Sequence, residues 1–309
     1  MESNAVEVEP ARAGQRLDRL LAEALGISRA RVRHLLETGR VSLAGRALRL
    51  ADKSRPAEAG DRFDVSGPLR AEEETPRPRP DLPLAVLAEG PGWLVVDKPA
   101  GHGVHPLRPD QDDTVLNAVA ARHPGIVGVG EGGLRSGVVH RLDVETTGAL
   151  AFATDEPHWK RLRGAFSEHR VEKIYLALVH GRFERARRID LPLVVARHQP
   201  ARVAVSEDGR PSRERVRPVE TFADATLVEV KLETGFLHQI RATLAHEGHP
   251  VVGDGLYGGD TRGDTRSGAG GIAAPRPLLH AARLSVDEIR AEAPLPGDFE
   301  AVLAALREA

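Results

Sequence analysis

The chain of 309 residues contains no cysteine. This absence excludes disulfide bonds, thiolate zinc sites and cysteine nucleophiles, and it is typical of proteins of the reducing cytoplasm. Long hydrophobic runs are missing as well, since no stretch approaches the roughly 18 apolar residues of a membrane span. Residues 1–4 lack a basic start and an apolar core, so we expect no secretory signal. Together these absences predict a cytoplasmic protein that does not span a membrane.

Charge is nearly balanced overall but unevenly distributed, with a net charge of −2. Residues 12–55 hold 11 Lys and Arg against 4 Asp and Glu, a net charge of +7. The rest of the chain has 32 basic and 41 acidic residues and therefore carries −9. A small basic block on an otherwise acidic chain is typical of a module that binds a polyanion. On charge alone, a solvated basic face explains the block equally well.

Residues 14–68 have the pattern of a small domain of helices and strands. Helical spacing of apolar residues predicts helices over 17–25 and 29–38, the second capped by Ser28. Residues 1–13 are expected to be a disordered tail. Short strands are predicted at 41–43, 47–50 and 63–65.

Residues 69–83 contain three consecutive glutamates followed by prolines at nearly alternate positions. Such a segment cannot form a helix or a central strand, so it predicts a semi-rigid, extended linker. We place the domain boundary in this linker and expect a second domain over residues 84–309.

The second domain is predicted to be rich in strands. Residues 128–133 match G-x-G-x-x-G, but a strand rather than a helix is expected after them, which favours a flexible loop over a dinucleotide site. Strands are predicted at 93–96, 138–139, 149–152, 173–179, 221–232 and 278–284. Helices are predicted from a cap at Asp112 or Asp113 to Arg122, from a cap at Asp155 to His169, and from about 239 to 246. Hairpins and loops are expected at 182–218, and a Gly/Arg-rich loop at 258–277.

A charged cluster lies between two apolar runs within residues 137–152. Val138 and Val139 lead into His140, Arg141 and Asp143, and a polar turn then precedes the second run. Burying a carboxylate costs several kcal/mol unless it is paired, so the Asp needs a partner. Two residues apart on one strand, the Arg and the Asp can pair with each other, and structural ion pairs are commoner than catalytic ones.

The same stretch resembles the central signature of the RluA-type RNA pseudouridine synthases. His140-Arg141-Leu142-Asp143 is followed by Thr146-Thr147-Gly148, where Thr147 stands in place of the usual Ser and keeps a hydroxyl group. Further motifs of this family occur in family order, although Asp97 replaces the usual Asn and Phe236 replaces an Arg, which removes one expected phosphate contact. These motifs are Asp97-Lys98-Pro99-Ala100-Gly101 with His105-Pro106, Lys173-Ile174-Tyr175-Leu176-Ala177, Thr234-Gly235 with His238-Gln239-Ile240-Arg241, and Gly248-His249-Pro250 with Gly253-Asp254.

The first domain resembles the alpha-L RNA-binding domain first described in a small-subunit ribosomal protein. The matching segments are Arg16-Leu17-Asp18, Ser28-Arg29, Gly39-Arg40-Val41 and Gly60-Asp61. This resemblance implies that arginines of the domain contact RNA phosphates, which gives affinity without sequence information and makes binding depend steeply on salt.

Taken together, the two resemblances imply an enzyme that isomerises uridine to pseudouridine in structured RNA without a cofactor or metal. The implied fold is α+β, a mixed, mostly antiparallel sheet with flanking helices and a cleft across it, preceded by the small α/β domain. The N-terminal domain favours large-subunit ribosomal RNA as substrate, and transfer RNA stays open. We expect the protein to be a monomer.

Residue roles follow from the family resemblance. Asp143 is implied to be the catalytic carboxylate and Arg241 its ion-pair partner. Tyr175 is implied to lie against the base and is the candidate for removing the proton from carbon 5, although a phenol is a poor base unless its environment changes it. Arg141 is implied to fill the gap left when the uridine flips out. Further RNA contacts are implied for His140, Lys173, His238, Arg29, Arg31, Arg33 and Arg40.

Two rival interpretations remain open on the sequence. A non-catalytic RNA-binding or ribosome-assembly protein could keep the same fold. A metal-dependent hydrolase could use His238, His246 and His249, but these histidines lack the i, i+4 spacing of a helical zinc pair, so we expect no metal.

Overall fold

The computed structural model describes residues 3–70, 74–198, 200–258 and 274–309, and in these the strands form two separate sheets. The first sheet has four antiparallel strands in the order β1-β4-β2-β3. Its strands are β1 (Ser3–Glu7), β2 (Val41–Leu43), β3 (Arg46–Ala47) and β4 (Arg62–Ser66). Two helices, α1 (Leu17–Leu25) and α2 (Arg29–Glu37), share its apolar core.

Helix α1 ends, and helix α2 begins, where the sequence predicts. Gly26 ends α1 in the left-handed conformation at φ 64°, which glycine adopts without a steric penalty. The hydroxyl oxygen of Ser28 accepts a hydrogen bond from the Arg31 N–H and caps α2. The prediction of a disordered tail over residues 1–13 is wrong, because residues 3–7 form an edge strand on β4, and Val6 and Val8 enter the core.

The second sheet has ten strands in the order β10-β9-β11-β12-β8-β13-β7-β6-β5, with β14 paired to β13. Only the contact between β7 and β13 is parallel among the described strand pairs. The strands are β5 (Ala85–Gly90), β6 (Trp93–Lys98), β7 (Thr147–Ala153), β8 (Glu172–His180), β9 (Arg187–His198), β10 (Ala201–Val205), β11 (Arg210–Thr221), β12 (Ala225–Leu232), β13 (Leu279–Val286) and β14 (Ile289–Glu292). The accompanying helices are α3 (Val115–Arg122), α4 (Glu156–Ser167), α5 (Gln239–His246) and α6 (Gly297–Glu308).

Helices cover both faces of the central part of the large sheet, so strands there, such as β6 and β7, are apolar on both sides. Leu94 and Val96 of β6 join a core that includes residues of α3 and α5, whereas Val95 between them joins a core with α4. This alternation follows from the two-residue period of a strand. The fold is thus α+β with a mixed, mostly antiparallel sheet, as expected. No helix in the described ranges is long and apolar enough to cross a membrane.

Several local expectations need correction. Residues 138–139 are not a strand, because Val138 makes a single bridge to Phe152 and the chain then leaves the sheet. Helix α3 is capped by Thr114, whose side chain and Asn117 form a capping box, rather than by an aspartate. The hairpins expected at 182–218 are present, since β9 pairs antiparallel with β10 and β11, but two of their strands extend over 12 residues, so less of this region is loop than expected. The predicted strand at 47–50 shrinks to β3, while β14 and α6 were not anticipated. Most of the loop predicted at 258–277 lies outside the described residues.

Candidate active site

Asp143 lies in the irregular connection that precedes the buried strand β7. Lys98 holds this connection in place. Its side chain is fully buried, and its ammonium group donates hydrogen bonds to the carbonyl oxygens of Pro99, Val144 and Thr146 at 2.7–2.9 Å. Burial lowers the pKa of Lys98 to about 8, and the charges of nearby acids offset only part of this effect. A buried cation with three backbone acceptors therefore holds the turn directly after the carboxylate.

The first two residues of β7, Thr147 and Gly148, pair with the neighbouring strand β13. Gly148 has a φ of 110°, and a Cβ at this position would collide with the backbone of Ala281 on β13. The hydroxyl group of Thr147 lies 2.9 Å from Nδ1 of His280, which lies on the same neighbouring strand. The hydroxyl group that Thr147 shares with the Ser of the family pattern therefore contacts β13. The missing side chain at Gly148 allows β7 and β13 to approach each other.

Arg241 is the ion-pair partner of Asp143, as the sequence predicts. Its Nη1 lies 3.1 Å from Asp143 Oδ2, although the two residues are far apart in the chain. Its Nε and Nη2 donate to both oxygens of Asp254 at 2.6 and 2.9 Å. Burial alone would lower the pKa of Arg241, but the two carboxylates outweigh it and raise that pKa. The guanidinium group is thus fixed on one edge by a bidentate pair and presents its remaining nitrogen to Asp143.

The local pair between Arg141 and Asp143 does not form. Arg141 is exposed and makes no ion pair within the described part of the chain. Asp143 keeps 22% of its side chain exposed, whereas Asp254 is 1% exposed. Of the two carboxylates on Arg241, only Asp143 is open to a ligand.

Tyr175 of β8 is buried beside this pair. Burial raises the pKa of its hydroxyl group above the usual value near 10, and the negative charge of Asp143 raises it further. The environment thus changes the phenol in the direction opposite to that required of a base. The site thus favours the neutral phenol of Tyr175, which can contact a base.

Two histidines of the motifs are held as neutral side chains. Nε2 of His140 accepts a hydrogen bond from the Ala151 N–H at 2.9 Å, and its ring stacks on Phe166 at 4.4 Å. Burial lowers the pKa of His140 to about 3. Burial also lowers the pKa of His238 despite the charge of Asp143, whose Oδ2 lies 3.9 Å from Nε2. Nδ1 of His238 lies 3.1 Å from the hydroxyl group of Tyr257.

A cavity of about 640 Å³ opens over these residues. Its lining carries four Lys and Arg side chains and a single acidic one, Asp143. The basic residues are Arg141, Arg163, Lys173 and Arg241. Burial lowers the pKa of Lys173 to about 8, and its ammonium group donates to the Thr234 carbonyl oxygen. A predominantly cationic cavity with one partly exposed carboxylate fits an anionic ligand such as a nucleotide within RNA.

Sequence reasoning missed four contributors to this site. Arg163, Phe166 and His169 come from α4 and the turn after it, and they line the cavity on the side of His140. Asp254 was part of a recognised motif, but nothing in that motif identified it as the partner of Arg241. The sequence predicted α4 from a cap at Asp155 to His169 but gave no indication that its C-terminal end meets the cavity.

The family model described as RNA pseudouridylate synthase matches residues 92–246. The chain belongs to this family. A relative from Chloroflexus aurantiacus, named an uncharacterized RNA pseudouridine synthase, is 38% identical over 99% of this chain and 95% of its own length. A relative from Pseudomonas aeruginosa, named ribosomal large subunit pseudouridine synthase D, is 36% identical over 100% of this chain and 97% of its own length.

Two solved human structures share the fold of this pseudouridine synthase. RNA pseudouridylate synthase domain containing 4 aligns with a TM-score of 0.55 and 22% identity, over 72% of this chain and 93% of its own. RNA pseudouridylate synthase domain containing 1 aligns with a TM-score of 0.52 and 23% identity, over 79% of this chain and 98% of its own. The expected enzyme class, an isomerase acting on uridines of RNA, is confirmed by the family. The cavity around Asp143 lies largely within the matched residues.

The arginines predicted to bind RNA in the first unit of the synthase differ in how they are engaged. Arg31 and Arg40 both donate to Oε1 of Glu74 at 2.6 Å, and both also bind backbone carbonyl oxygens of residues 66–70. Arg29 donates to Asp18 at 2.7 Å. Arg33 is exposed and makes no ion pair within residues 3–70 or the other described segments.

The histidines of the rival metal interpretation have separate environments in the synthase. His238 contacts Tyr257, and His249 Nδ1 lies 3.0 Å from the carbonyl oxygen of His180. His246 is exposed near the end of α5. Within the described ranges, no group of three or more His, Asp or Glu side chains is arranged to hold a metal ion.

Proposed function

We propose that this synthase isomerises specific uridines of large-subunit ribosomal RNA, with Asp143 as its catalytic carboxylate. The names of several relatives support this substrate. The observation that carries the role of Asp143 is its position on Arg241: one oxygen is paired, Oδ1 makes no hydrogen bond within the described residues, and the side chain lies open to the cavity. We further propose that the enzyme is cytoplasmic, as its ribosomal RNA substrate suggests, and that it acts as a monomer.

In the proposed reaction the bond between N1 of uracil and the sugar breaks, and a bond between carbon 5 and the sugar forms. The proton on carbon 5 is lost and N1 gains one, so neither oxidant nor net hydrolysis is required. Asp143 acts as an ionised carboxylate, because the guanidinium group of Arg241 at 3.1 Å stabilises its charge. Tyr175 contacts the base as a neutral phenol, and the proton of carbon 5 leaves to the solvent that reaches the open cavity.

RNA is held by the basic rim of the cavity and by the first unit. Arg141 is exposed and has no ion-pair partner among the described residues, so it is available to fill the gap that a flipped uridine leaves in the RNA. Lys173 and His238 contact the flipped nucleotide from the cavity wall, and His140 supports the catalytic connection. In the first unit, a proposed RNA-binding domain over residues 14–68, we assign phosphate contact to Arg33 and Arg29.

Arg31 and Arg40 have a different immediate role in this proposal. Both hold Glu74, a residue of the proposed linker over 69–83, and so connect the first unit to the chain that leads into the catalytic domain at 84–309. Their contact with RNA requires that a phosphate replaces the Glu74 carboxylate. The same two arginines cannot make both contacts at full strength.

Pseudouridine mapping tests the proposal and identifies the substrate together. Ribosomal and transfer RNA are mapped in cells that lack the protein and in the same cells complemented with wild type or with Asp143→Asn. We expect one or a few sites of large-subunit ribosomal RNA to lose pseudouridine and to regain it only with wild type. Loss of pseudouridine confined to transfer RNA would refute ribosomal RNA as the substrate. Restoration by Asp143→Asn would refute the catalytic role of Asp143.

A further inference from the structure

Glu214 is a buried carboxyl group that the reaction itself does not use. It lies on β11, its side chain is 0% exposed, and no cation pairs with it within the described residues. Burial raises the pKa of Glu214 to about 7, and two hydrogen bonds to it offset only part of the shift. A buried acid without a cation is costly, so its contacts need an explanation.

Each oxygen of Glu214 accepts one hydrogen bond from helix α5. The hydroxyl group of Thr243 donates to Oε1 at 2.6 Å, and the amide nitrogen Nε2 of Gln239 donates to Oε2 at 3.2 Å. The opposite side of the Gln239 amide faces the preceding turn, where its oxygen accepts from the Phe236 N–H at 3.1 Å and from the Thr234 hydroxyl at 2.9 Å. The amide therefore joins the Glu214 carboxyl to the turn, with its nitrogen on one side and its oxygen on the other.

This turn carries residues that reach the catalytic pair. His238 has a φ of 50°, a left-handed conformation that a non-glycine residue adopts only when its surroundings enforce it. No side chain caps the start of α5 at this position. The strained residue lies 3.9 Å from Asp143, and α5 begins directly after it and carries Arg241. The shape of the turn thus sets where both residues stand relative to the catalytic carboxylate.

We propose that Glu214 is a positioning residue that fixes the orientation of the Gln239 amide and thereby holds the turn from Thr234 to His238 in its catalytic shape. The inference rests on the proposed role of Asp143. If position 214 offers no acceptor, the amide nitrogen of Gln239 keeps only the carbonyl oxygen of Arg213, at 3.2 Å. The amide nitrogen then loses one of its two acceptors, so the orientation of the amide, and with it the acceptor for the Phe236 N–H, is held less firmly.

The role requires an acceptor at position 214 and not a charge. A protonated Glu214 can donate to the hydroxyl oxygen of Thr243, because Thr243 has a second acceptor in the carbonyl oxygen of Gln239 at 2.9 Å. The other oxygen of Glu214 still accepts from Gln239 in that state. A glutamine at this position reproduces the same arrangement, with its amide nitrogen toward Thr243 and its oxygen toward Gln239. A leucine fills similar space but accepts nothing.

The test compares Glu214→Leu, Glu214→Gln and wild type in single-turnover assays at saturating RNA, together with the Kd for RNA and the Tm. We expect Glu214→Leu to lower the rate about tenfold, to leave the Kd within twofold and to keep a Tm at or above that of wild type, since an apolar replacement of a buried carboxyl is often neutral or stabilising. Glu214→Gln should retain the rate within about threefold. Thr243→Val, which removes the other donor to the carboxyl, is the matched control and should also retain the rate.

Three outcomes would overturn the inference. Glu214→Leu could keep the wild-type rate, both Glu214 variants could lose the rate equally, or the rate could fall only in step with the Tm. A double-mutant cycle with Gln239→Leu adds a second check: the double variant should be no slower than Gln239→Leu alone, because both changes remove the same contact. Asp143→Asn runs in parallel, since an active Asp143→Asn chain contradicts the proposed function, whereas an active Glu214→Leu chain contradicts this inference alone.

Discussion

Arginine and carboxylate are combined in opposite proportions in two regions of the molecule. In the cavity, one arginine, Arg241, is shared by Asp143 and Asp254. In the first unit, one carboxylate, Glu74, is shared by Arg31 and Arg40 and is 4% exposed. The first arrangement leaves a carboxylate partly exposed, and the second leaves none. The residue types are the same in both regions. What differs is whether a carboxylate stays open to solvent, as Asp143 does in the proposed active site, or is fully covered, as Glu74 is in the connection to the first unit.

Glu214 extends the comparison to a carboxyl group with no arginine. Asp143 and Glu74 have cations at hydrogen-bond distance, whereas the described residues offer Glu214 only a hydroxyl group and an amide. The expected consequence is a large difference in how the three groups respond to mutation and to pH. The predictions below test this difference.

The largest effect on stability is expected from Arg241→Ala. The change leaves Asp254 buried without a cation and Asp143 without its partner, and breaking a buried pair in this way costs about 3–5 kcal/mol of unfolding free energy. Catalysis should fall at least about a hundredfold, as for other lost electrostatic contacts to a reacting group. Urea unfolding and single-turnover rates measure the two effects, with Arg290→Ala on the exposed face of β14 as a neutral control. A wild-type unfolding free energy would show that the pair is not buried in solution.

The second effect concerns the pH dependence of stability at Glu214. Its pKa in the folded chain is about 7, above the ordinary value of 4.5, so folding favours the protonated form. Relative to Glu214→Gln, wild type should therefore be most stable below about pH 4.5 and should lose about 3 kcal/mol as the pH rises through 7. Urea unfolding of both proteins at pH 5 and pH 8 gives the difference. A difference that does not change with pH would mean that Glu214 is solvated or paired with a cation.

The third effect tests the connection at Glu74. Glu74→Gln removes the charge that Arg31 and Arg40 share, and we expect a loss of about 1–3 kcal/mol because both guanidinium groups keep their carbonyl acceptors. The rate at saturating RNA should stay unchanged. Affinity for RNA should rise and its salt dependence should steepen, since two cations become available to phosphates. Unchanged affinity would indicate that these arginines do not face RNA even when freed.

The smallest effect on stability is expected at Arg33, which is exposed and forms no ion pair in the part of the chain that the structure describes. Arg33→Ala should leave the Tm unchanged, weaken RNA binding a few-fold and reduce the slope of log Kd against log salt by about 1. Titrations at several salt concentrations measure this, with Arg290→Ala again as the control. Equal affinities and slopes for the two variants would remove Arg33 from the proposed RNA contact.

The sequence motifs named many of the residues that line the cavity, and the fold brings their separate segments together. Asp143, Lys173, Tyr175, His238 and Arg241 come from three distant segments and line one cavity. Helices with clear caps were also predictable. The choice of partner for a charge was not, because ion pairs between distant segments depend on the folded backbone. The nearby pair between Arg141 and Asp143 was a reasonable expectation only while residues 138–143 were taken for a strand.

The strands β9 and β11 show a second limit. Arginines occupy outward positions 213, 215 and 217 of β11, and prolines interrupt both strands, so the alternation of apolar residues is weak in the sequence. Glu214 lies in this region and looks like one more surface acid between Arg213 and Arg215. Only the register of β11 against β9 and β12 turns it inward toward α5. Its sequence neighbours therefore gave no signal of its burial.

The central claim is that Arg241 holds two carboxylates of different function, and the most direct measurement makes the same change in each. Asp143→Asn and Asp254→Asn are compared with wild type for single-turnover pseudouridine formation on the mapped RNA and for Tm. The account predicts no detectable turnover and a wild-type or higher Tm for Asp143→Asn. For Asp254→Asn it predicts residual turnover and a lowered Tm, because the amide no longer balances the buried guanidinium. Turnover by Asp143→Asn, or the same loss of stability in both variants, would contradict it.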